Sequence, residues 1–195
     1  MILKKESILN SFGLVQSMAE KKARKYNIVF SKDRVYSEQT KEAKILYDQS
    51  RFGEPVEGKF QYSLVESLLL LEKARVNILE KKKKLKFDDF VSRAEKVEKN
   101  FWIKYCVFRD LRNRGYIVKT ALKFGADFRV YDRGVKPGDD HAKWIVYPVK
   151  ESTSFTWYDF AAKNRVAHST RKKLLLAVVD DEGDVSYWES SWVKP

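Results

Sequence analysis

Two short segments rich in β-branched and aromatic residues, separated by a loop, constrain the fold of this chain more than any other feature. They span residues 128–131 (FRVY) and 144–147 (WIVY), and the loop between them holds two glycines and a proline. Segments of this composition predict strands, whereas glycine and proline predict turns. We therefore predict a strand that ends at Tyr131, a loop that ends at His141, and a second strand.

The rest of the C-terminal half adds a helix and two strands to this unit. Thr156 followed three residues later by Asp159 predicts the start of a helix. Its buried face is predicted to hold Trp157, Phe160 and Ala161. The fully apolar segment 174–179 predicts a central strand, residues 180–184 an acidic turn, and residues 185–192 a returning strand.

The N-terminal half has the pattern of a small mixed α+β unit. Ser63 followed by Glu66 has the spacing of a helix capping box, and the leucine-rich run after it predicts a helix that belongs to the core. Shorter elements are predicted around it, namely strands at 26–30 and 34–36 and a helix at 41–49.

A longer helical pattern joins the two halves. It runs from residue 88 to residue 114 with a break near Asn100, and Gly115 follows as a C-terminal cap. The spacing of its aromatic residues predicts one buried face, formed by Phe101, Trp102, Tyr105, Phe108 and Leu111. We predict a two-domain protein of the α+β or α/β class. Its domains are a small mixed unit at 1–95 and, at 96–195, a mixed β-sheet flanked by helices.

The charge of the chain favours a polyanionic partner. Its 39 lysines and arginines exceed its 27 acidic residues, which gives a net charge of +12. Two basic clusters, at 21–25 and 81–86, are predicted to be solvated and could also attract phosphates. The single cysteine, Cys106, excludes an internal disulfide and predicts a core residue. With no apolar segment of about 20 residues, we predict a soluble cytoplasmic protein without a membrane partner.

Three separated motifs in the C-terminal half resemble the tRNA-splicing endonucleases of archaea and their eukaryotic relatives. The first is GxxVKxxxKFGADFxVY, which begins at Gly115, and the second is the histidine after the loop. The third is RVAxSxRKxLLLAVV at residues 165–179. The resemblance covers about the last hundred residues strongly and the first hundred only in outline.

This resemblance implies a catalytic set of Tyr131, His141 and Lys172. RNA carries its own nucleophile, the 2′-hydroxyl, so cleavage needs a group at that oxygen, an acid at the leaving oxygen and a cation at the phosphate. Histidine titrates near neutrality and suits the acid, and lysine supplies the charge. A tyrosine either acts as a base, if nearby cations lower its pKa, or only orients the hydroxyl. Lys173 is the competing lysine, and His168 is predicted to be structural.

The resemblance further implies RNA contacts and an assembly. Arg165 and Trp192 would clamp a bulged base, with Trp188 left open as the alternative to Trp192. The acidic turn, Asp180, Asp181 and Glu182, would insert into a basic pocket of a neighbouring subunit. Four such units would form the enzyme, as a homotetramer or as a heterotetramer with a second subunit type.

The function implied is removal of introns from precursor tRNA at bulge-helix-bulge sites, without metal or other cofactor. The products would carry 2′,3′-cyclic phosphate and 5′-hydroxyl ends, because an internal 2′-oxygen is the nucleophile. Two alternatives stay open. One is a non-catalytic RNA-binding subunit of such an enzyme. The other is a metal-dependent DNA nuclease that uses Asp139 and Asp140, although no Glu-x-Lys element follows them.

Overall fold

The computed structural model describes residues 25–193 of the chain. The predicted basic residues Lys21, Lys22 and Arg24 lie outside the described residues. Five α-helices and two mixed β-sheets make up the described part, as expected for an α+β protein. None of these helices is long and apolar enough to cross a membrane.

The N-terminal half is a six-stranded sheet with three helices. Its strands have the order β3-β4-β2-β1-β5-β6, and only the β1–β5 pair is parallel. In chain order the elements are β1 (Tyr26–Ser31), β2 (Arg34–Glu38), α1 (Lys41–Ser50), β3 (Glu54–Val56), β4 (Lys59–Tyr62), α2 (Leu64–Glu72), β5 (Val76–Glu80), β6 (Lys83–Lys84) and α3 (Phe87–Val97).

Local sequence signals explain where α2 begins. The capping box is confirmed, since the Glu66 amide donates to the Ser63 hydroxyl (3.3 Å) and the Ser63 amide donates to the Glu66 carboxylate (2.9 Å). Residues 64–70 are all buried, so this helix fills the core of the N-terminal half. The lysine cluster after β5 is exposed, with Lys81 and Lys82 forming the turn of the β5–β6 hairpin.

The C-terminal half is a five-stranded sheet between two helices. Its strands have the order β11-β10-β9-β8-β7, with only β9 and β10 parallel. The elements are α4 (Phe101–Asn113), β7 (Ile117–Thr120), a 3-10 turn (Leu122–Phe124), β8 (Phe128–Tyr131), β9 (Trp144–Lys150), α5 (Trp157–Ser169), β10 (Lys173–Val179) and β11 (Val185–Ser190).

The two faces of this sheet pack against different helices. On one face, Phe128 contacts Phe108 of α4, and this packing is continuous with the core of the N-terminal half. On the other face, Ile145 and Leu174 pack with Ala167 of α5 in a smaller cluster. The face that a strand residue occupies therefore decides which helix it meets.

Several expectations for the joining helices are confirmed. The helical pattern breaks at Asn100, which has a φ of 58° and so lies outside helical geometry, directly before α4 begins. Phe101, Tyr105, Cys106 and their partners along α4 are buried, whereas Trp102, predicted to be buried, is 37% exposed. The predicted domain boundary, between residues 95 and 96, lies within the last turn of α3. It stays a prediction.

The predicted buried face of α5 is wrong at its first turn. The capping residues Thr156 and Asp159 are confirmed, but Trp157 is 85% exposed and Ala161 is exposed. Helix α5 packs on the sheet through Ala167 and the partly buried Phe160, which lie seven residues apart on one face. Burial does not extend to the first turn of α5. Among the aromatic residues of the described chain, Trp157 contacts only Phe160, in an edge-to-face arrangement.

Candidate active site

The strand ends that carry the predicted catalytic residues meet at one edge of the C-terminal sheet. Strand β8 is antiparallel to β9, and β9 is parallel to β10, so the end of β8 lies beside the starts of β9 and β10. Tyr131 is the last residue of β8, His141 lies three residues before β9, and Lys172 directly precedes β10. The sheet therefore brings these three positions, far apart in sequence, to the same edge.

Tyr131 is fixed by the sheet. It pairs with Ile117 of β7 and is only 5% exposed. The guanidinium carbon of Arg129, two residues earlier on the same strand, lies 6.0 Å from the centre of its ring. The backbone of Tyr131 is therefore fixed by the strand pairing, and its ring is packed in the structure.

His141 lies on an exposed loop whose two ends are held together by an ion pair and a backbone hydrogen bond. Lys143 pairs with Asp132 (2.7 Å) across the two ends of the loop, and the Lys143 amide donates to the carbonyl of Val130 (2.8 Å). This ion pair lowers the pKa of the Asp132 carboxyl and raises the pKa of the Lys143 ammonium. The backbone amide of His141 donates to the Asp140 carboxylate (2.6 Å). His141 itself is exposed to solvent.

Lys172 lies between the end of α5 and the start of β10. Its amide donates to the carbonyl of Ala167 (2.8 Å), and its ammonium donates to the carbonyl of Thr170 (2.7 Å) at the helix C-terminus. The ammonium is also 5.7 Å from the centre of the Phe124 ring. Burial and the nearby charge of Arg129 lower the pKa of Lys172 below the usual range of lysine.

The two adjacent lysines face opposite sides of the sheet. Lys173 is the first residue of β10, pairs with Trp144 in the ladder and forms an ion pair with Glu189 of β11 (2.6 Å). Glu189 also accepts a hydrogen bond from the Trp144 indole (2.7 Å), and these contacts lower the pKa of its carboxyl, with Lys173 the largest cause. The charge of Lys173 is thus balanced on the α4 side, whereas the ammonium of Lys172 lies on the α5 side, near Phe124 and Arg129.

Two neighbouring grooves share Asn164, His168 and Trp192, and Lys172 lines the first of them. The first, about 410 Å³, is basic, with Lys143, Arg171, Lys172 and Lys173 among its lining residues. The second, about 950 Å³, runs along α5 and is lined by Trp157, Phe160, Asn164, Arg165, His168 and Trp192, among others. Arg165 and Trp192, the predicted base clamp, therefore line the same groove.

Two expectations for this groove need correction. Trp192 was assigned to the last strand, but β11 ends at Ser190, so Trp192 lies on the segment after it and is 61% exposed. His168 was predicted to be structural, yet it is exposed, lines both grooves and lies 4.9 Å from the Trp192 ring. Sequence reasoning missed this contact because the strand end that places Trp192 beside α5 has no local signal. Trp188 is on β11 and is exposed.

The acidic turn lies at the opposite edge of the sheet. It follows the end of β10, whereas Lys172 precedes its start. Asp180 accepts from the backbone amide of Asp184 (2.8 Å), and Asp181 pairs with Lys150 (3.1 Å). Glu182 is exposed. Among residues 25–193 no three His, Cys, Asp or Glu side chains group as a metal site would need, and Asp139 and Asp140 are exposed in the loop.

Comparison with known families matches both halves of the chain. Residues 26–91 match the N-terminal domain of tRNA intron endonuclease, and residues 101–187 match its catalytic C-terminal domain. The second match includes all three of Tyr131, His141 and Lys172 and ends before Trp188. This chain belongs to the tRNA intron endonuclease family.

Several archaeal proteins named tRNA-splicing endonuclease are similar over most of the chain. Those of Thermococcus onnurineus and Pyrococcus furiosus are each 44% identical over 164 residues, which is 84% of this chain and 94% of each relative. That of Nanoarchaeum equitans is 46% identical over 138 residues, or 68% of this chain and 88% of the relative. The similarity therefore extends across both halves and supports an endonuclease of tRNA splicing.

Proposed function

We propose that this protein excises introns from precursor tRNA by cleaving bulge-helix-bulge RNA without a metal ion. The observation that carries the proposal is the meeting of Tyr131, His141 and Lys172 at one sheet edge. A tyrosine, a histidine and a lysine supply the three groups that cleavage by an internal 2′-hydroxyl requires. The names of the archaeal relatives point to the same substrate.

In the proposed reaction the 2′-oxygen attacks the adjacent phosphorus while the bond to the 5′-oxygen breaks. Tyr131 lies at the 2′-hydroxyl and accepts its proton when ionised; if Tyr131 only orients the hydroxyl, that proton passes to a solvent water. His141 gives a proton to the departing 5′-oxygen, because an alkoxide is a poor leaving group. Lys172 stabilises the charge that develops on the non-bridging oxygens. The products are a 2′,3′-cyclic phosphate and a 5′-hydroxyl.

The two neighbouring grooves suit an RNA ligand. The basic groove can hold the phosphate backbone, since lysine and arginine side chains surround it. In the aromatic groove, the guanidinium of Arg165 and the ring of Trp192 offer planar surfaces on which an unpaired base can stack. We propose that these two residues hold a bulged base and that His168 orients Trp192 for that contact.

The assembly is part of the proposal. Two bulges at a fixed separation are best recognised by a symmetric enzyme with two active sites at that separation. We propose four units, either identical or with a second subunit type. The acidic turn at 180–182 would contact a basic pocket of a neighbouring unit, and its position at the edge opposite Lys172 leaves the RNA grooves free.

The decisive test is cleavage of a bulge-helix-bulge RNA by the purified protein in excess EDTA, with the product ends identified. We expect cleavage at the bulges, cyclic phosphate and 5′-hydroxyl ends, and no reaction when the nucleotide before the cleaved bond lacks its 2′-hydroxyl. An RNA of the same sequence with the bulges paired is the matched control. Activity that requires added metal contradicts the mechanism. A protein that binds the RNA without cutting it either needs a second subunit type or is a non-catalytic subunit.

Substitution of the two adjacent lysines separates the proposed catalytic residue from its neighbour. We expect Lys172→Met to lower the cleavage rate by about 100-fold, because a charge aimed at the transition state is lost. Lys173→Met removes only an exposed ion pair with Glu189 and should cost far less. Single-turnover rates of the two variants decide the assignment. Equal losses would show that the groove needs only its total charge.

A further inference from the structure

The side chain of Arg129 lies beside Tyr131, on the face of the sheet that carries Lys172. Its guanidinium lies 6.0 Å from the centre of the Tyr131 ring, and its charge acts on the ammonium of Lys172. We propose that Arg129 is a positioning residue for RNA cleavage, which holds Tyr131 and directs the Lys172 ammonium toward the basic groove. This inference rests on the function proposed above.

The register of the sheet explains why Arg129 reaches both residues. Arg129 and Tyr131 are two residues apart on β8 and so point to the same face. Arg129 lies opposite Ile145 of β9, which in turn lies opposite Leu174 of β10. This is the α5 face of the sheet, and the ammonium of Lys172 enters it beside Phe124.

The hydrogen bonding of Arg129 is unusual for a structural arginine. Its Nε is buried and has no hydrogen-bond partner, and no acidic side chain among residues 25–193 forms an ion pair with it. A buried donor without a partner costs free energy, so this contact does not explain Arg129 as a stabilising residue. In the proposed role, the field of a cation held beside Lys172 without a counter-ion acts on Lys172 and on the anion that Lys172 is proposed to bind.

Basic and titratable side chains from several elements surround Lys172. Around the ammonium of Lys172, the basic groove presents Lys143 from the start of β9, His168 from the end of α5, and Arg171 and Lys173 from the flanking chain. Lys143 and Lys173 are neutralised by ion pairs with acidic residues. Arg129 therefore approaches Lys172 from strand β8, and among the described residues it has no acidic partner.

The test compares Arg129→Met and Arg129→Lys with the wild type. Arg129→Met should lower kcat by about 10- to 100-fold with little change in KM, because Tyr131 and Lys172 lose their alignment while RNA binding remains. Arg129→Lys keeps the charge but not the planar guanidinium over the ring, and should recover part of the rate. Arg75→Met, which removes an exposed arginine of the N-terminal half, is the control for net charge.

The pH dependence of the cleavage rate separates this role from a merely structural one, because a structural role would not change it. If cleavage needs protonated Lys172, activity falls at alkaline pH, and it falls earlier than for an ordinary lysine because its pKa is lowered. Arg129→Met removes one cause of that lowering, so the alkaline limb should move to higher pH. Lys172→Arg stays charged at alkaline pH, so its activity should no longer fall there. That result would identify Lys172 as the group whose deprotonation causes the fall.

Each outcome of this experiment bears on one of the two proposals. A lower kcat together with a displaced alkaline limb supports the role of Arg129. An Arg129→Met enzyme with wild-type kcat, or one whose kcat falls while the limb stays in place, overturns it and leaves the proposed function intact. A wild type that cleaves the RNA only when metal is added overturns the proposed mechanism, and the role of Arg129 in it.

Discussion

His141→Ala should lower the rate of RNA cleavage by about 1,000-fold, because the 5′-oxygen must then leave without a proton. The Asp132–Lys143 ion pair joins the two ends of the loop that carries His141, which holds this residue beside the starts of β9 and β10. The side chain itself is exposed and its removal disturbs no core. RNA binding and thermal stability should therefore remain near wild type while kcat collapses.

A change of leaving group tests the assignment of His141 directly. In an RNA with sulfur in place of the 5′-bridging oxygen, the thiolate leaves without protonation, so His141→Ala should cleave it at nearly the wild-type rate. His168→Ala is the matched control, because it removes the only other histidine and should raise KM through Trp192 rather than lower kcat. If the sulfur substrate restores nothing, His141 is not the acid.

The parts of the fold that were predictable have strong local signals. The capping boxes at Ser63 and Thr156 are set by a residue and its partner three positions later, which is information within one helical turn. The strand at 174–179 is continuous and apolar because helices cover both faces of the sheet. The assignment of Tyr131, His141 and Lys172 from motif order stays a prediction. The sheet explains how these separated motifs meet, because Tyr131 ends β8 and Lys172 directly precedes β10.

The parts that were not predictable depend on distant contacts. Strands β3 to β6 are two to five residues long, and β6 consists of two lysines, so any alternation of apolar residues is too short to predict them. The separation of Lys172 from Lys173 requires the partner Glu189 on another strand. The exposure of Trp157 depends on how far α5 extends along the sheet, which the helix's own sequence does not specify.

One motif residue has a structural role that links the two halves of the molecule. Lys119, the lysine of the VK pair on β7, donates to the carbonyl of Gly53 (2.9 Å) and lies 3.5 Å from the Glu66 carboxylate. Both side chains are almost inaccessible, at 6% and 8% exposed. Glu66 also accepts from the amides of Gly53 and Ser63. A single buried carboxylate thus joins the α2 cap, the chain before β3 and the C-terminal sheet.

Glu66→Ala should lower the free energy of unfolding by about 3–5 kcal/mol, because it leaves the buried charge of Lys119 without its main partner and strips the α2 cap. Denaturant unfolding of the purified variant measures this loss. Adding Lys119→Met to Glu66→Ala removes the stranded charge and should recover part of the stability, and the double-mutant cycle gives the coupling between the two side chains. Glu95→Ala, which removes an exposed carboxylate of α3, is the control. If Glu66→Ala costs less than about 1 kcal/mol, or if the two substitutions are additive, the halves are held together by their shared apolar core rather than by this pair.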